Sequence, residues 1–367
     1  MGGSSLKRLT LFSLLFVVLI FGVNISVPVE TEDYQELLPG TITSLTSSQE
    51  EQDGQVTVVQ ILTVEVKSGT EAHETITIES SDQAGPDARL FDEGDKVYVS
   101  KMEIPNSEPT YDIADYDRRV PLAVLFGLFC LIVVIISGKQ GVESFLGMVF
   151  SFAVLIKIIL PLLIRGVDPV LSALIGSALI IPSTFYLSHG FQKKTHVAVL
   201  GTLATLALTG LLSEIFIPLS HLSGLADESA FFLKIGSDVS FNFQGLLLAG
   251  VLISMLGILD DISISQASIA EELRAAKPNI SFGELYLRCM NVGRDHIASM
   301  VNTLILVYAG SSLPLMLLFL SADYNFGQIV NIELVAQEIV HTLIGSIGLI
   351  CAVPITTLLA CIKRKKS

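Results

Sequence analysis

The stretch Gly257–Leu273, GILDDISISQASIAEEL, decides how the chain is read. It follows Gly245–Leu259, an apolar run of about 15 residues, whereas a helix crossing the hydrocarbon core of a bilayer needs roughly 20. If the helix continues until the span is complete, Asp260, Asp261, Ser263, Ser265 and Gln266 lie at membrane depth. Acidic side chains are costly there, and are found where a protein-lined or watery path uses them. Read as one helix, Asp261, Ser265, Ser268 and Glu272 form a stripe at spacings of four, three and four. Read locally, D-I-S-I-S alternates with period two and is dense in β-branched and cap-forming residues. That pattern predicts an extended break before a helix restarts at Ser265 or Ser268. A helix broken at membrane depth frees carbonyls and helix ends to bind a substrate or ion. The alternative is a span that tilts or ends early and leaves both aspartates in cytoplasmic water.

Composition places this stretch in a membrane protein. Of 367 residues, 51% are hydrophobic and only 16% charged, with a mean hydropathy of +0.65, far from a soluble average. The net charge of -14 belongs to one region, because Glu30–Asp117 holds 21 acidic and 4 basic residues. Cys130, Cys289, Cys351 and Cys361 fall in or beside apolar segments with no C-x-x-C pairing, and read as small packing residues. The chain has no P-loop, no H-E-x-x-H and no G-x-S-x-G. ATP-driven transport by this chain alone, zinc proteolysis and serine hydrolysis therefore find no support. Neither an enzyme activity, a cofactor, a metal nor a nucleic-acid partner is expected.

The expected fold class is mainly α: a polytopic membrane bundle of about eight spans, with a small extracytoplasmic all-β domain inserted after the first. Residues 1–28 read as an N-terminal anchor, since Lys7 and Arg8 precede the apolar Leu9–Val27 and no A-x-A-like site follows; a cleaved signal peptide is the alternative. Residues 29–119 form the acidic β domain. Its β-branched runs GQVTVVQILTVEVKSG, HETITIES and DEGDKVYVSKMEI are separated by turn residues, with Gly94 and Asp95 leading into a strand Lys96–Met102. No catalytic or ligand cluster occurs in it, so a structural or docking role is expected.

Residues 120–367 are read as the transmembrane domain, with spans at Val120–Ser137, Val142–Ile164, Pro169–Ser188, Val197–Pro218, Gly245 to about Ser265, Ile297–Leu320 and Leu334–Ile362. Lys7, Arg8, Lys139, Lys193, Lys194, Arg274, Lys277, Arg288, Arg294 and the terminal Lys363, Arg364, Lys365 and Lys366 fall on one side. Against them stand Arg165 and Lys234, with Arg118 and Arg119 as exceptions. The positive-inside bias predicts both termini cytoplasmic and residues 29–119 outside. A cytoplasmic loop at about 266–296 carries two capping-box spacings, Ser268 with Glu271 and Ser281 with Glu284, which predict two short helices flanking Pro278. Between Leu219 and Gln244, HLSGLADESAFFLK is apolar enough to lie on the membrane but too polar to span it.

A second polar stripe opens the seventh span: Asp295, Ser299 and Asn302, flanked by Arg294 and His296. Facing Asp260 and Asp261, these residues would line an ion or substrate path, with Arg294 neutralising a carboxylate. Interfacial anchoring is the bland alternative for Arg294 and His296. Lys157, Glu214 and Glu338 are expected at similar depth on three other spans, as a buried relay or as separate surface groups. Glu338-x-x-His341 has the spacing of a bundle metal motif, but no second motif accompanies it.

GILDDISISQASIAEELRAAKP, GRDHIASMVNTLILVYAGSSLPLMLLF and EIVHTLIGSIGLICAVPITTLLA together resemble the YibE/F-like family of bacterial multi-pass membrane proteins. The resemblance extends over the anchor, the β domain ending in YDIADYDR and the bundle, and is most specific between residues 245 and 356. It implies an integral protein of the cell membrane, of a Gram-positive or related bacterium, and supplies no catalytic residues. The function expected is that of a secondary transporter or permease-like protein for a small ion or solute, using the broken sixth span. The alternative is a non-transporting scaffold or sensor whose β domain binds a protein partner. The bilayer is the partner expected in either case, and the oligomeric state is left open.

Overall fold

The computed structural model describes residues 36–362, apart from 53–54, 70, 84–88, 103–108, 237–238 and 322–323. These residues divide into two compact units that meet in the sequence between Ile135 and Ile136.

The first unit is a five-stranded antiparallel sheet of β1 (Glu36–Gln52), β2 (Gln55–Val66), β3 (Thr75–Gln83), β4 (Lys96–Met102) and β5 (Thr110–Tyr116), in the order β3-β2-β1-β4-β5. β1 is long enough to serve two neighbours, pairing β2 from Gly40 onward and β4 from Glu36 to Thr41. A register shift between Ile42 and Ser44, and another between Tyr98 and Val99, bend the sheet. It curls until β3 approaches β5, the connectivity of a partly open five-stranded Greek-key barrel. Alternate residues fill the interior: Leu38 and Ile42, then Leu62, Val64 and Val66, Ile76 and Ile78, Val97 and Val99. Burying one such side chain contributes about 1.5–3 kcal/mol. The three β-branched runs form strands as the sequence predicts, and β4 has the predicted bounds.

After Tyr116 the chain enters α1 (Arg119–Val154), a π-helical turn at Leu155–Ile159 and α2 (Leu160–Ile164). α1 is broken once, at Gly138, whose φ of 54° and ψ of -132° suit a residue without a side chain. The second unit continues with α3 (Pro169–His189), α4 (Lys193–Leu219), the short α5 (Glu228–Ile235), α6 (Phe243–Ala276), α7 (Phe282–Ser311), α8 (Leu313–Ser321), α9 (Phe326–Ile329) and α10 (Glu333–Cys361). Its core is α4, α6 and α10, each packed on the other two, with α3 against α6 and α7 against α10.

Among the described residues, five helical runs are long and apolar enough to cross a membrane, or six if α7 and α8, bent by 62°, count as one. The expected eight is not reached among the described residues. The first expected span, Leu9–Val27, lies outside them, and the second and third fall in the one run Arg119–Ile164, which is parted at Gly138, between their expected bounds. α5, of 8 residues, carries the exposed Phe231, Phe232 and Ile235.

Two local expectations are overturned. α6 runs without interruption through Asp260–Ser265, so the sixth span is not broken. Buried Leu259, Ile262, Ser263 and Gln266 recur with the helical period and outweigh the β-branched alternation that predicted an extended break. Nor are there two separate short helices about Pro278: the first is the end of α6 and the second is the beginning of α7. Only the Ser281 cap is realised, its Oγ accepting from the Glu284 amide at 3.2 Å. Lys277, held extended before Pro278, ends α6.

Candidate functional site

The residues that converge are hydroxyls and one amide on the facing sides of α4, α6 and α10. On α4, Thr195, Thr202, Thr205, Thr209 and Ser213 are all fully buried, at spacings that put them on one face. Ser263 and Gln266 of α6 are equally buried, as are Thr356 and Thr357 of α10. Close approach is set by glycine. A Cβ on Gly201 would strike Thr356, and one on Gly348 would strike Thr209. Across the helices, Thr357 donates to Gln266 Oε1 at 2.9 Å, and Thr356 Oγ1 lies 3.4 Å from Ser263 Oγ.

Some of these groups satisfy themselves. Thr205, Thr209 and Ser213 each donate to the carbonyl four residues earlier, at 2.9–3.0 Å. Others do not: Thr195 Oγ1, Thr202 Oγ1, Gln266 Nε2 and Ser346 Oγ are buried and bond to no protein atom. One turn before Ser263, Asp260 accepts at Oδ2 from Thr184 of α3 at 3.2 Å, in competition with the Ile180 carbonyl at 3.0 Å; Oδ1 is buried without a partner. Such atoms are uncommon, since nearly all buried polar groups are hydrogen-bonded.

Of the expected path, Asp260, Ser263 and Gln266 therefore face inward. Asp261 is exposed, within electrostatic reach of His189, and Ser265 is half-buried. The second stripe does not face them. Arg294, Asp295, Ser299 and Asn302 are all exposed, because α7 turns Leu285, Cys289, Gly293 and Leu304 inward. Gly293 sits against Gln266 and Val353, and that contact fixes the rotation of the helix.

The expected relay of Lys157, Glu214 and Glu338 is not assembled, and no ion pair joins them among the described residues. Lys157 lies on the π-helical turn, which packs on α3, and Glu214 is exposed. Glu338 is half-buried on α10, three residues before His341. His341 Nε2 lies 2.8 Å from Ser254 Oγ and 3.3 Å from the Tyr308 hydroxyl. His341 thus pins α6, α7 and α10 together. Among the described residues no group of three His, Cys, Asp or Glu side chains has the arrangement of a metal site.

The family model described as YibE/F-like protein matches residues 125–366. The chain belongs to the YibE/F-like family. The match begins within α1 and runs past α10, and it starts beyond β5, so the likeness expected over the anchor and β domain is shown for the helical region alone. No curated protein and no solved structure matches this chain.

The α4 hydroxyls, Thr356, Thr357, Thr184, Ser254 and Tyr308 escaped the sequence reading. Thr195, Thr202, Thr205, Thr209 and Ser213 at spacings of seven, three, four and four were the one available signal. It was easily passed over, since threonine and serine are ordinary in apolar helices. Cys289 and Cys361 are buried together, thiol against thiol, which their distance in sequence does not announce.

Proposed function

We propose that this protein is permease-like and moves a small ion or solute along the file of hydroxyl and amide groups between α4, α6 and α10. The observation that carries the reading is the set of unbonded atoms on Thr195, Thr202, Gln266 and Ser346. In a bundle within lipid, unsatisfied groups cost more than elsewhere, and a threonine has a ready partner in the carbonyl one turn back. Hydroxyls that decline that partner suit a path on which water or a polar solute supplies the bonds. Asp260, one turn from Ser263 and bonded to Thr184 of α3, adds a carboxylate with one oxygen still free, which favours a cation or a solute carried with a proton. On this reading the chain has eight spans, both termini cytoplasmic and the acidic β domain outside, as the distribution of lysine and arginine predicts.

Purified protein in liposomes, assayed for protein-dependent flux across a panel of monovalent and divalent cations and small polar solutes, tests the proposal. Gln266→Leu, Thr202→Val and Asp260→Asn are each expected to lower flux by about tenfold, the effect of losing roughly 1.4 kcal/mol of path stabilisation. Melting temperatures of the same preparations separate this from unfolding. Absence of flux across the panel, or flux unchanged in all three variants, rejects the reading. The competing one, a non-transporting scaffold or sensor, draws on the Thr357–Gln266 bond as glue between helices. It expects no flux and a lowered melting temperature for Gln266→Leu.

A further inference from the structure

The acidic β domain has few cations, and most are committed. Arg89 is tied to Asp115 and Lys101 to Glu71, the latter pair at 2.7 Å. Of the four basic residues between Glu30 and Asp117, that leaves Lys67 and Lys96, neither of which forms an ion pair among the described residues. Both line one cavity of about 220 Å³, with Pro39, Gly40, Asp117, Arg119 and Val120.

Three pieces of backbone build it. The Lys67 amide donates to the Pro39 carbonyl at 2.8 Å, and the Asp117 amide to the Lys96 carbonyl at 2.7 Å. Arg119 is held by a two-point contact with Asp117, Nε to Oδ1 and Nη2 to Oδ2, both at 2.8 Å, and its guanidinium lies 5.2 Å from the centre of the Tyr98 ring. The Arg119 and Asp117 charges cancel. Lys67 and Lys96, both exposed, leave the lining residues with a net formal charge of +2 over mainly apolar walls, within a domain that is otherwise strongly negative. Asp117, held to a pKa of about 2 chiefly by its hydrogen bond from Arg119, stays ionised and keeps that guanidinium in place.

Position narrows the ligand. Val120, on the cavity wall, opens the most apolar of the candidate spans among the described residues, whose best 18-residue stretch has a mean hydropathy of 2.9 and whose side chains from Val120 to Ile136 are largely exposed. A cavity at the boundary between a polar domain and such a helix lies where phospholipid headgroups lie. Its volume of about 220 Å³ has room for several waters or a phosphate group.

We propose that this cavity binds a phosphate-bearing anion between Lys67 and Lys96, supplied either by the headgroup of an anionic phospholipid or by free phosphate. The test uses the full-length protein in neutral detergent, titrated separately with phosphatidylglycerol, phosphatidylcholine and inorganic phosphate, with bound species counted by native mass spectrometry. Phosphatidylglycerol is expected to bind more tightly than phosphatidylcholine. Lys67→Ala and Lys96→Ala should each weaken it about fivefold, and the double variant about 30-fold, with phosphatidylcholine unaffected. Both lysines are exposed, so the fold tolerates the change, and Lys67→Arg with Lys96→Arg keeps the charge and should retain binding. Inorganic phosphate bound as tightly as phosphatidylglycerol, and lost in the double alanine variant, assigns the site to free anion. Equal binding of both anions to wild type and double alanine variant overturns the site.

Discussion

Gln60 illustrates how single buried polar residues hold this protein together. It is 5% exposed inside the barrel, where its amide donates to the Phe91 carbonyl at 3.0 Å and accepts from the Phe91 amide at 2.8 Å. The segment before β4 is thereby clipped to β2. Gln60→Ala leaves a buried donor and acceptor unpaired, at about 1–3 kcal/mol each. Hydrogen exchange on the full-length protein should show residues around Phe91 losing protection, while the β1/β2 ladder keeps its own. At the same scale, Asp115 and Asp117 have pKa values lowered to about 2, chiefly by hydrogen bonds from Arg118 and Arg119 respectively. Both pKa values are depressed, so the ion pairs are at full strength above the ordinary carboxylate pKa near 3.8 and are lost as pH falls through about 2. Carboxyl NMR should find Asp115 titrating near 2 in the wild type, and Arg118→Ala should move it back up. An Asp115 that titrates alike in both proteins would contradict the pairing.

Elements were legible where burial alternates or recurs over their whole length. β2, β3 and β4 alternate buried residues, apolar apart from Gln60 of β2, with half-buried or exposed ones, and their β-branched runs make them legible in the sequence. β1 escaped because only its first half is covered. Beyond Ile42 it reads T-S-L-T-S-S-Q-E-E-Q, mostly exposed, and its strand character comes from pairing with β2. α6 was misjudged for the opposite reason: its local sequence favours a break, while packing against α4 and α10 keeps it helical. Glycines test that packing. Gly201→Ala puts a methyl group into Thr356 and should destabilise the bundle by about 1–3 kcal/mol. Gly257→Ala, in open space on α6, should be neutral or stabilising by up to about 1 kcal/mol. Thermal unfolding in detergent measures both, and equal effects would mean that α4 and α10 are not in close contact.

At the scale of the whole molecule, the rotation of α7 decides where a path can run. In a background without native cysteines, Ser263→Cys should react with a small water-soluble thiol reagent in bilayer-embedded protein, because the α4, α6 and α10 file is the proposed wet route. Asn302→Cys, on the outward face of α7, should be protected. Labelling of Asn302→Cys with Ser263→Cys inert would move the path to the other side of that helix. The amino-acid sequence by itself determined what depends on composition and local order: segments long and apolar enough to cross a membrane, an acidic β domain and the membership signalled by residues 245 to 356. These follow from the transfer energies of side chains and from their periodicity, which are properties of the chain before it folds. Only the tertiary structure decided which polar residues meet. Asp295, Ser299 and Asn302 have the helical spacing of a buried stripe, yet Gly293 presses against Gln266 and turns them outward. Thr202, Gln266 and Thr357 are unremarkable in sequence, and become neighbours because glycines let three helices approach closely enough for short side chains to touch.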